Sequence, residues 1–197
     1  KHKMHKKGYI GKPVKHDDVI LLDKNEEGVG EIAVKGPNVM TEYYNNEELN
    51  KEVFTSDGYF KTGDLGYIDK HGYLSIRGRV KTMILGPAGE NIYPESIESI
   101  INNMEFVQES LVVPGDGGLV ALIKVDLEAM QEKLKISAEE VKNEAEKYLV
   151  KLKKTVNEQL SSFSKISDTE LQERDFERTP TQKIKRFLYS KKKKEDK

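Results

Sequence analysis

Three short polar segments of this 197-residue chain carry side chains that can bind a ligand with hydroxyl and phosphate groups. The segments are 62–64 (Thr-Gly-Asp), 77–81 (Arg-Gly-Arg-Val-Lys) and 180–186 (Pro-Thr-Gln-Lys-Ile-Lys-Arg). A carboxylate accepts hydrogen bonds from vicinal hydroxyls such as those of a ribose, and guanidinium groups hold phosphate oxygens. A compact lysine ammonium stabilises negative charge that develops between a carboxylate and a phosphoryl group.

Each segment also has a purely structural interpretation. Thr62 and Asp64 flank a glycine, which is typical of a turn whose side chains bond to the nearby backbone. The segment 77–81 could be the basic end of a strand in solvent, and 180–186 could be a basic surface segment. No one segment decides between the two interpretations, and their occurrence together favours the chemical one.

The elements that position these groups change in type near the middle of the chain. Before residue 77 the pattern is mainly β, with a run at 19–22, an alternating segment at 30–36 and a hairpin over 59–77. A short helix is predicted within 45–54, because Asn46 is a good N-cap followed by two acids.

After residue 82 the pattern alternates between strands and helices. It predicts a short strand at 83–85, a helix beginning near Pro94 and a hairpin over 107–125. A helical turn or two is predicted at 127–134, and Ser137-Ala-Glu-Glu140 is a capping box that opens a long helix. This order predicts an α+β fold with helices packed on one small sheet.

Composition describes a soluble and highly charged globular protein, with 34% charged residues and a net charge of −1. That balance gives no general attraction to nucleic acid or to an anionic membrane. No apolar run in the sequence has the length of a transmembrane helix. The absence of cysteine excludes disulfides and thiolate metal sites and favours the cytosol. The four histidines have no ligand spacing, so no metal site is predicted.

The two ends of the chain are basic. The chain begins with residues 1–7 and no initiator methionine, which predicts a piece of a longer protein. The lysine run 191–194 predicts a disordered, solvated tail in preference to a functional basic patch.

With these pieces in order, the chain resembles the acyl- and aryl-CoA synthetases. They are a branch of the adenylate-forming superfamily, which includes luciferases and nonribosomal adenylation domains. The ending Thr-Gln-Lys-Ile-Lys-Arg is most similar to that of bacterial long-chain fatty acid–CoA ligases. Several ordered motifs over nearly the whole chain carry the resemblance: 11–14, 30–40, 43–46, 57–66, 78–81, 89–94 and 179–186.

The resemblance implies a role for four of the polar residues. Asp64 would bind the ribose hydroxyls of ATP or AMP, and Arg79 would contact the ribose or the phosphates. Lys81 would be the hinge about which the C-terminal domain rotates between two half-reactions. Lys183 would be the catalytic lysine of the adenylation half, contacting the α-phosphate and the acyl carboxylate.

The resemblance also implies a coenzyme A tunnel, and here the chain departs from its relatives. Some relatives carry an arginine near a phosphate in this loop, where this chain has no such charge. Gln182 also replaces the glycine usual before the catalytic lysine, which restricts the loop backbone. The residues predicted to line the tunnel in the thioester-forming state are Ala88, Gly89, Glu90 and Asn91.

The reaction implied by the resemblance has two steps. An acid carboxylate attacks the α-phosphorus of ATP to give acyl-adenylate and pyrophosphate, and the thiol of coenzyme A then displaces AMP. A magnesium ion would screen the phosphates. Its ligands, the phosphate loop and the acyl pocket are all expected in sequence that precedes this chain. The chain alone is therefore expected to make no acyl-CoA and to bind ATP poorly or not at all.

The predicted organisation has two domains and a hinge. Residues 1–77 would be a distorted β-barrel-like subdomain that ends the large N-terminal domain, and 78–81 would be the hinge. Residues 82–190 would be a small, mobile C-terminal α+β domain with a short sheet flanked by helices, and 191–197 would be the disordered tail.

The predicted parent is a cytoplasmic, ATP-dependent long-chain fatty acid–CoA ligase. Its partners would be a fatty acid, ATP and coenzyme A, without nucleic acid, and peripheral association with the inner membrane face stays open. One alternative is an enzyme that loads acyl groups onto a carrier protein. Another is a non-catalytic binding module, against which the joint presence of Asp64, Arg79 and Lys183 argues.

Overall fold

The computed structural model describes residues 9–190, which form two compact units that divide between Met83 and Ile84. The lysine run 191–194 and the basic residues 1–7 lie outside the described residues. The expected disorder of the tail therefore stays a prediction. The segment 78–81 lies within the described residues, and its role as a hinge stays a prediction as well.

The first unit is built on one antiparallel sheet in which each strand pairs with the next along the chain. The strand order is linear, and no strand pairing within residues 9–83 closes the sheet into a barrel. The strands are β1 (Asp18–Leu22), β2 (Gly30–Lys35), β3 (Phe60–Ile68) and β4 (Leu74–Arg79). The predicted hairpin is the pair β3–β4, which turns at 69–72.

A short helix, α1 (Glu47–Val53), connects β2 to β3. The Asn46 side chain accepts a hydrogen bond from the Leu49 amide at 3.2 Å, so it is the N-cap that the sequence predicts. A 3-10 turn, Val80–Thr82, follows β4 directly. It holds Lys81 at the end of the first unit.

The second unit combines a three-stranded sheet, a short ribbon and three helices. The ribbon pairs β5 (Ile84–Leu85) with β6 (Asn91–Ile92). The remaining elements are α2 (Pro94–Ile101), β7 (Val107–Gly115), β8 (Gly118–Val125), α3 (Leu127–Leu134), α4 (Ala138–Asn157) and β9 (Ile166–Leu171). Strands β7 and β8 form the predicted hairpin, and β9 pairs with β8 in parallel.

The two faces of the three-stranded sheet are covered differently. On one face the helices bury a large apolar cluster, to which α4 contributes a stripe at helical spacing: Val141, Ala145, Leu149, Leu152 and Val156. On the other face lies a smaller cluster of Leu111, Val113, Leu122 and Phe176, against which Ile184 and Tyr189 pack. The C-terminal segment therefore covers the face that the helices leave open.

The α+β class is confirmed. The capping box is confirmed as well, because the Ser137 hydroxyl accepts from the Glu140 amide while the Glu140 carboxylate accepts from the Ser137 amide. The parallel strand β9 was not predicted. Its sequence, Ile-Ser-Asp-Thr-Glu-Leu, is mostly polar, and only Ile166 is fully buried.

Candidate functional site

The segment 62–64 leaves the regular ladder between β2 and β3. Glu31 pairs with Leu65 and Ala33 pairs with Lys61, so two steps along β2 correspond to four steps along β3. Gly63 lies in the middle of this bulge with φ +73°, a left-handed conformation that favours glycine. Bulges of this kind redirect side chains at the edge of functional sites.

The bulge is fixed by three hydrogen bonds to its own strands. The Thr62 hydroxyl donates to the Ile32 carbonyl at 2.8 Å, and the Gly63 amide donates to the Glu31 carboxylate at 3.1 Å. The Asp64 amide donates to the Thr62 hydroxyl at 3.1 Å. Thr62 therefore has the structural role that the sequence allowed, and that role leaves the Asp64 carboxylate for other contacts.

Asp64 and Arg79 are paired residues on β3 and β4. The Arg79 Nε atom donates to Asp64 Oδ1 at 2.6 Å, while the side chains keep 48% and 31% of their surface exposed. A carboxylate has two oxygens that each accept more than one hydrogen bond, so Asp64 can hold Arg79 and still receive hydroxyl groups. The structure thus brings these two predicted nucleotide ligands into direct contact.

A cleft of about 450 Å³ lies in the first unit, and Arg79 of this pair is part of its lining. Thr62, Gly63, Arg79 and Lys81 line it together with Glu31. Three cationic residues, Lys61, Arg79 and Lys81, and two residues of the bulge therefore line one cavity. A larger cleft of about 840 Å³ beside α1 includes none of the predicted site residues.

Lys183 lies in the second unit, on a tight hairpin whose arms meet at an isolated pair of Arg178 and Ile184. The Gln182 amide donates to the Thr179 carbonyl at 2.9 Å, and the Thr179 amide donates to the Lys183 carbonyl at 2.8 Å. These bonds enclose a β-turn with Pro180 in its second position, where the fixed φ of proline is favourable.

The hairpin presents Lys183 to solvent. Ile184 packs against the smaller apolar cluster, while its neighbour Lys183 is exposed. Within residues 9–190 no ion pair involves the Lys183 ammonium. Gln182 has φ 64°, the left-handed conformation that a glycine adopts easily, and this is the position at which the family resemblance implies a glycine.

The loop predicted to line a coenzyme A tunnel is a tight turn between β5 and β6. The Gly86 amide donates to the Glu90 carbonyl at 2.8 Å, and Gly89 has φ +87°. The Glu90 carboxylate turns back and accepts from the Ala88 amide at 3.0 Å. Glu90 therefore shapes the loop, and the role of the loop in binding coenzyme A stays a prediction.

No protein-family model matches the chain, but individual CoA ligases are similar to parts of it. A 2-succinylbenzoate–CoA ligase of Staphylococcus epidermidis is 41% identical over 104 residues, which are 53% of this chain and 22% of that ligase. The long-chain-fatty-acid–CoA ligase FadD15 of Mycobacterium tuberculosis is 38% identical over 126 residues, or 63% of this chain and 20% of that enzyme.

A solved structure is similar over more of the chain. The o-succinylbenzoate coenzyme A synthetase MenE of Bacillus subtilis, in complex with AMP, matches with a TM-score of 0.71 and 29% identity. The match covers 91% of this chain and 34% of MenE. This chain is homologous to AMP-forming acyl-CoA ligases. It spans about a fifth of the length of these two curated relatives.

Four charged residues around the Lys183 hairpin were given no individual role from the sequence, although Arg186 belongs to the polar segment 180–186. Arg178 contacts the Glu109 carboxylate, and Arg186 forms a two-point contact with Glu98. Arg178 and Arg186 are recognisable in the sequence as basic residues near Lys183. Their acidic partners are not recognisable there, since Glu98 is 88 residues away from Arg186 in the sequence.

Glu98 is the most buried of these groups, at 8% exposure. Burial raises the pKa of its carboxyl, while hydrogen bonds from the Arg186 guanidinium and the Val112 amide act in the opposite direction. A buried acid with a shifted pKa is one signature of functional sites, but this carboxylate is already paired with a cation. The role of Glu98 is therefore to fix the Arg186 guanidinium and the Val112 amide in place.

Residues 9–190 contain no cluster of three or more histidine, aspartate or glutamate side chains that could hold a metal ion. None of the described helices is long and apolar enough to cross a membrane.

Proposed function

We propose that this chain is the C-terminal part of an ATP-dependent, AMP-forming acyl-CoA ligase. The observation that carries the proposal is the exposed Lys183 at the tip of a hydrogen-bonded hairpin, in a chain homologous to such ligases. An exposed ammonium on a rigid turn is suited to meet a ligand from outside its own unit.

The first unit would supply the contacts to the nucleotide. Asp64 accepts hydrogen bonds from the ribose hydroxyls, and Arg79 orients that carboxylate and contacts the ribose or the phosphates. Their 2.6 Å contact and the position of Arg79 in the lining of a cleft support this assignment. Lys81, in the 3-10 turn that follows β4, would be the hinge of the rotating C-terminal domain.

Lys183 would act in the first half-reaction. An oxygen of the acid carboxylate attacks the α-phosphorus of ATP, the bond to the pyrophosphate oxygen breaks, and pyrophosphate leaves. The Lys183 ammonium stabilises the negative charge that is shared between carboxylate and α-phosphate in the transition state. Magnesium, held by residues outside this chain, would screen the phosphate charges when it is bound.

The second half-reaction would use the turn between β5 and β6. The thiolate of coenzyme A attacks the acyl carbon, the bond from acyl carbon to phosphate oxygen breaks, and AMP leaves. Because the Glu90 carboxylate already accepts from the Ala88 amide, contacts from this turn to pantetheine would use the backbone and Asn91.

A long-chain fatty acid is the proposed acid, and the similarity to FadD15 supports it. The similarity to a 2-succinylbenzoate–CoA ligase supports an aromatic acid in the same way. A panel of acids offered to the full-length protein separates the two, because only the correct class of acid gives ATP-dependent acyl-CoA at low acid concentration.

A carrier protein is the alternative acceptor of the acyl group, and replacing coenzyme A by a phosphopantetheinyl carrier protein tests it. The cytoplasm, with or without contact to the inner membrane face, stays the predicted location.

The decisive variant is Lys183→Ala in the full-length ligase, with Lys151→Ala on the exposed side of α4 as the matched control. Loss of one charge contact to the transition state is expected to lower acid-dependent ATP–pyrophosphate exchange by about a hundredfold or more. Attack of coenzyme A on supplied acyl-adenylate should proceed as in the control. If both half-reactions persist at the control rate, Lys183 has no part in adenylation and the proposal loses its main support.

A further inference from the structure

The segment that carries Lys183 is tied to the rest of its unit at both ends by an arginine. At its start, Arg178 Nη1 donates to the Gln182 carbonyl at 2.8 Å, and its second terminal nitrogen contacts Glu109 on β7. At its end, Arg186 reaches Glu98 on α2. The hairpin is therefore held from two elements of the unit.

The contact at Arg186 is the stronger of the two. Its two terminal nitrogens donate to the two oxygens of Glu98, at 2.8 and 2.5 Å, which is the parallel two-point geometry that favours arginine over lysine. Both side chains are largely buried, because the side-chain atoms alone are 23% exposed in Arg186 and 10% exposed in Glu98. A buried pair contributes little net stability but strongly penalises the loss of either partner.

The Glu98 carboxylate also joins a third element. It accepts a hydrogen bond from the Val112 amide of β7 at 2.7 Å, and Arg186 donates to the Val112 carbonyl at 3.3 Å. Glu95, one turn earlier on α2, lies 3.6 Å from the same guanidinium. Helix α2, strand β7 and the C-terminal segment therefore meet at one carboxylate.

This junction limits where Lys183 can lie. Three residues span at most about 11 Å of extended chain, so fixing Arg186 confines the backbone of Lys183 to a short range. Ile184, between them, is held in the apolar cluster on the sheet. The remaining freedom of the hairpin is limited further by Arg178 at its other arm.

We propose that Arg186 and Glu98 are positioning residues that hold the Lys183 ammonium in the geometry required for adenylation, an inference that rests on the proposed ligase function. Neither residue contacts the reacting atoms. Their effect is on the rate of the first half-reaction alone, because supplied acyl-adenylate reacts with coenzyme A without a contribution from Lys183.

The informative variant is Arg186→Lys in the full-length ligase. Lysine keeps a positive charge beside Glu98 but cannot make the parallel two-point contact. Since a displacement of about 1 Å can cost about a hundredfold in rate, kcat of acid-dependent ATP–pyrophosphate exchange is expected to fall tenfold to a hundredfold. The KM for ATP and the second half-reaction should match those of the control Arg174→Lys, an exposed arginine of the same unit.

A double-variant cycle separates positioning from general damage. If Arg186 acts through Lys183, adding Arg186→Lys to Lys183→Ala changes the exchange rate no further. Additive losses, or equal losses in both half-reactions, would overturn the positioning role.

The outcomes also separate this inference from the proposed function. If Lys183→Ala lowers exchange and Arg186→Lys does not, only the positioning role fails. If Lys183→Ala leaves exchange unchanged, the proposed function of Lys183 fails and the positioning role fails with it.

A second variant covers the case in which Arg186→Lys does not fold. Replacing both partners, as Glu98→Met with Arg186→Met, removes both charges of the most buried pair, and Glu95 beside it keeps 31% of its side chain exposed, so this variant is expected to keep the fold. The hairpin would then lose its anchor in a folded protein, so exchange should still fall while the second half-reaction continues. Exchange at the wild-type rate in this double variant would overturn the inference.

Discussion

The ion pair between Asp64 and Arg79 follows from the geometry of strands β3 and β4. The β3–β4 register places them opposite each other, and the bulge at Gly63 sets the direction of the Asp64 side chain. The sequence predicted both residues as ligands of one nucleotide. It could not predict the bulge, because alternation along β3 does not reveal how many residues of β2 lie opposite.

Asp64→Asn tests this contact. The amide keeps the shape of the carboxylate but loses the charge that favours both Arg79 and ribose hydroxyls. Hydrogen bonds to a charged group contribute about 1.5–3 kcal/mol, so the KM for ATP in the full-length ligase should rise roughly tenfold to a hundredfold. Asp23→Asn, an exposed aspartate of the same unit, is the control. Equal KM values in the two variants would remove Asp64 from the nucleotide site.

At the scale of elements, α4 is the part of the fold that the sequence determines most completely. The capping box marks its first turn, and the spacing of Val141, Ala145 and Leu149 marks its buried face. Strand β9 was missed because an edge strand with a mostly polar sequence carries no strong alternation. The pairing of Glu98 with Arg186 was missed because contacts between distant segments leave no local pattern.

The cap of α4 gives a prediction about stability with a defined dependence on pH. Backbone and hydroxyl hydrogen bonds from Ser137 lower the pKa of the Glu140 carboxyl below its usual 4.5. Because the folded state holds the charged form, the stabilisation is present above about pH 4.5 and is lost as pH falls through the lowered pKa. Ser137→Ala should cost about 0.5–2 kcal/mol at neutral pH.

The measurement is amide hydrogen exchange of the first turns of α4 as a function of pH, in the wild-type chain and in Glu140→Gln. The variant should lose the acid-dependent part of the protection, whereas Glu158→Gln, at the other end of the helix, should keep it. Identical pH profiles for wild type and Glu140→Gln would contradict the role of the cap.

For the whole molecule, the sequence predicted the family and the class of fold, and homology supports both. The reason is that several motifs occur in order, although each alone has a structural explanation. The two compact units divide between Met83 and Ile84, shortly after the predicted hinge residue Lys81. The chain covers about a fifth of the two curated relatives named above, and we expect sequence outside it to determine the choice of acid.

The most direct measurement is the fate of an oxygen-18 label placed in the carboxylate of the acid, in one round of catalysis by the full-length ligase. If the carboxylate attacks the α-phosphorus, one labelled oxygen bridges to phosphate and leaves with AMP when the thiol attacks the acyl carbon. We predict labelled AMP and unlabelled pyrophosphate, with the label transfer slowed by about a hundredfold or more in Lys183→Ala. Label in inorganic phosphate, with ADP as the nucleotide product, would show attack at the γ-phosphorus and contradict the central claim.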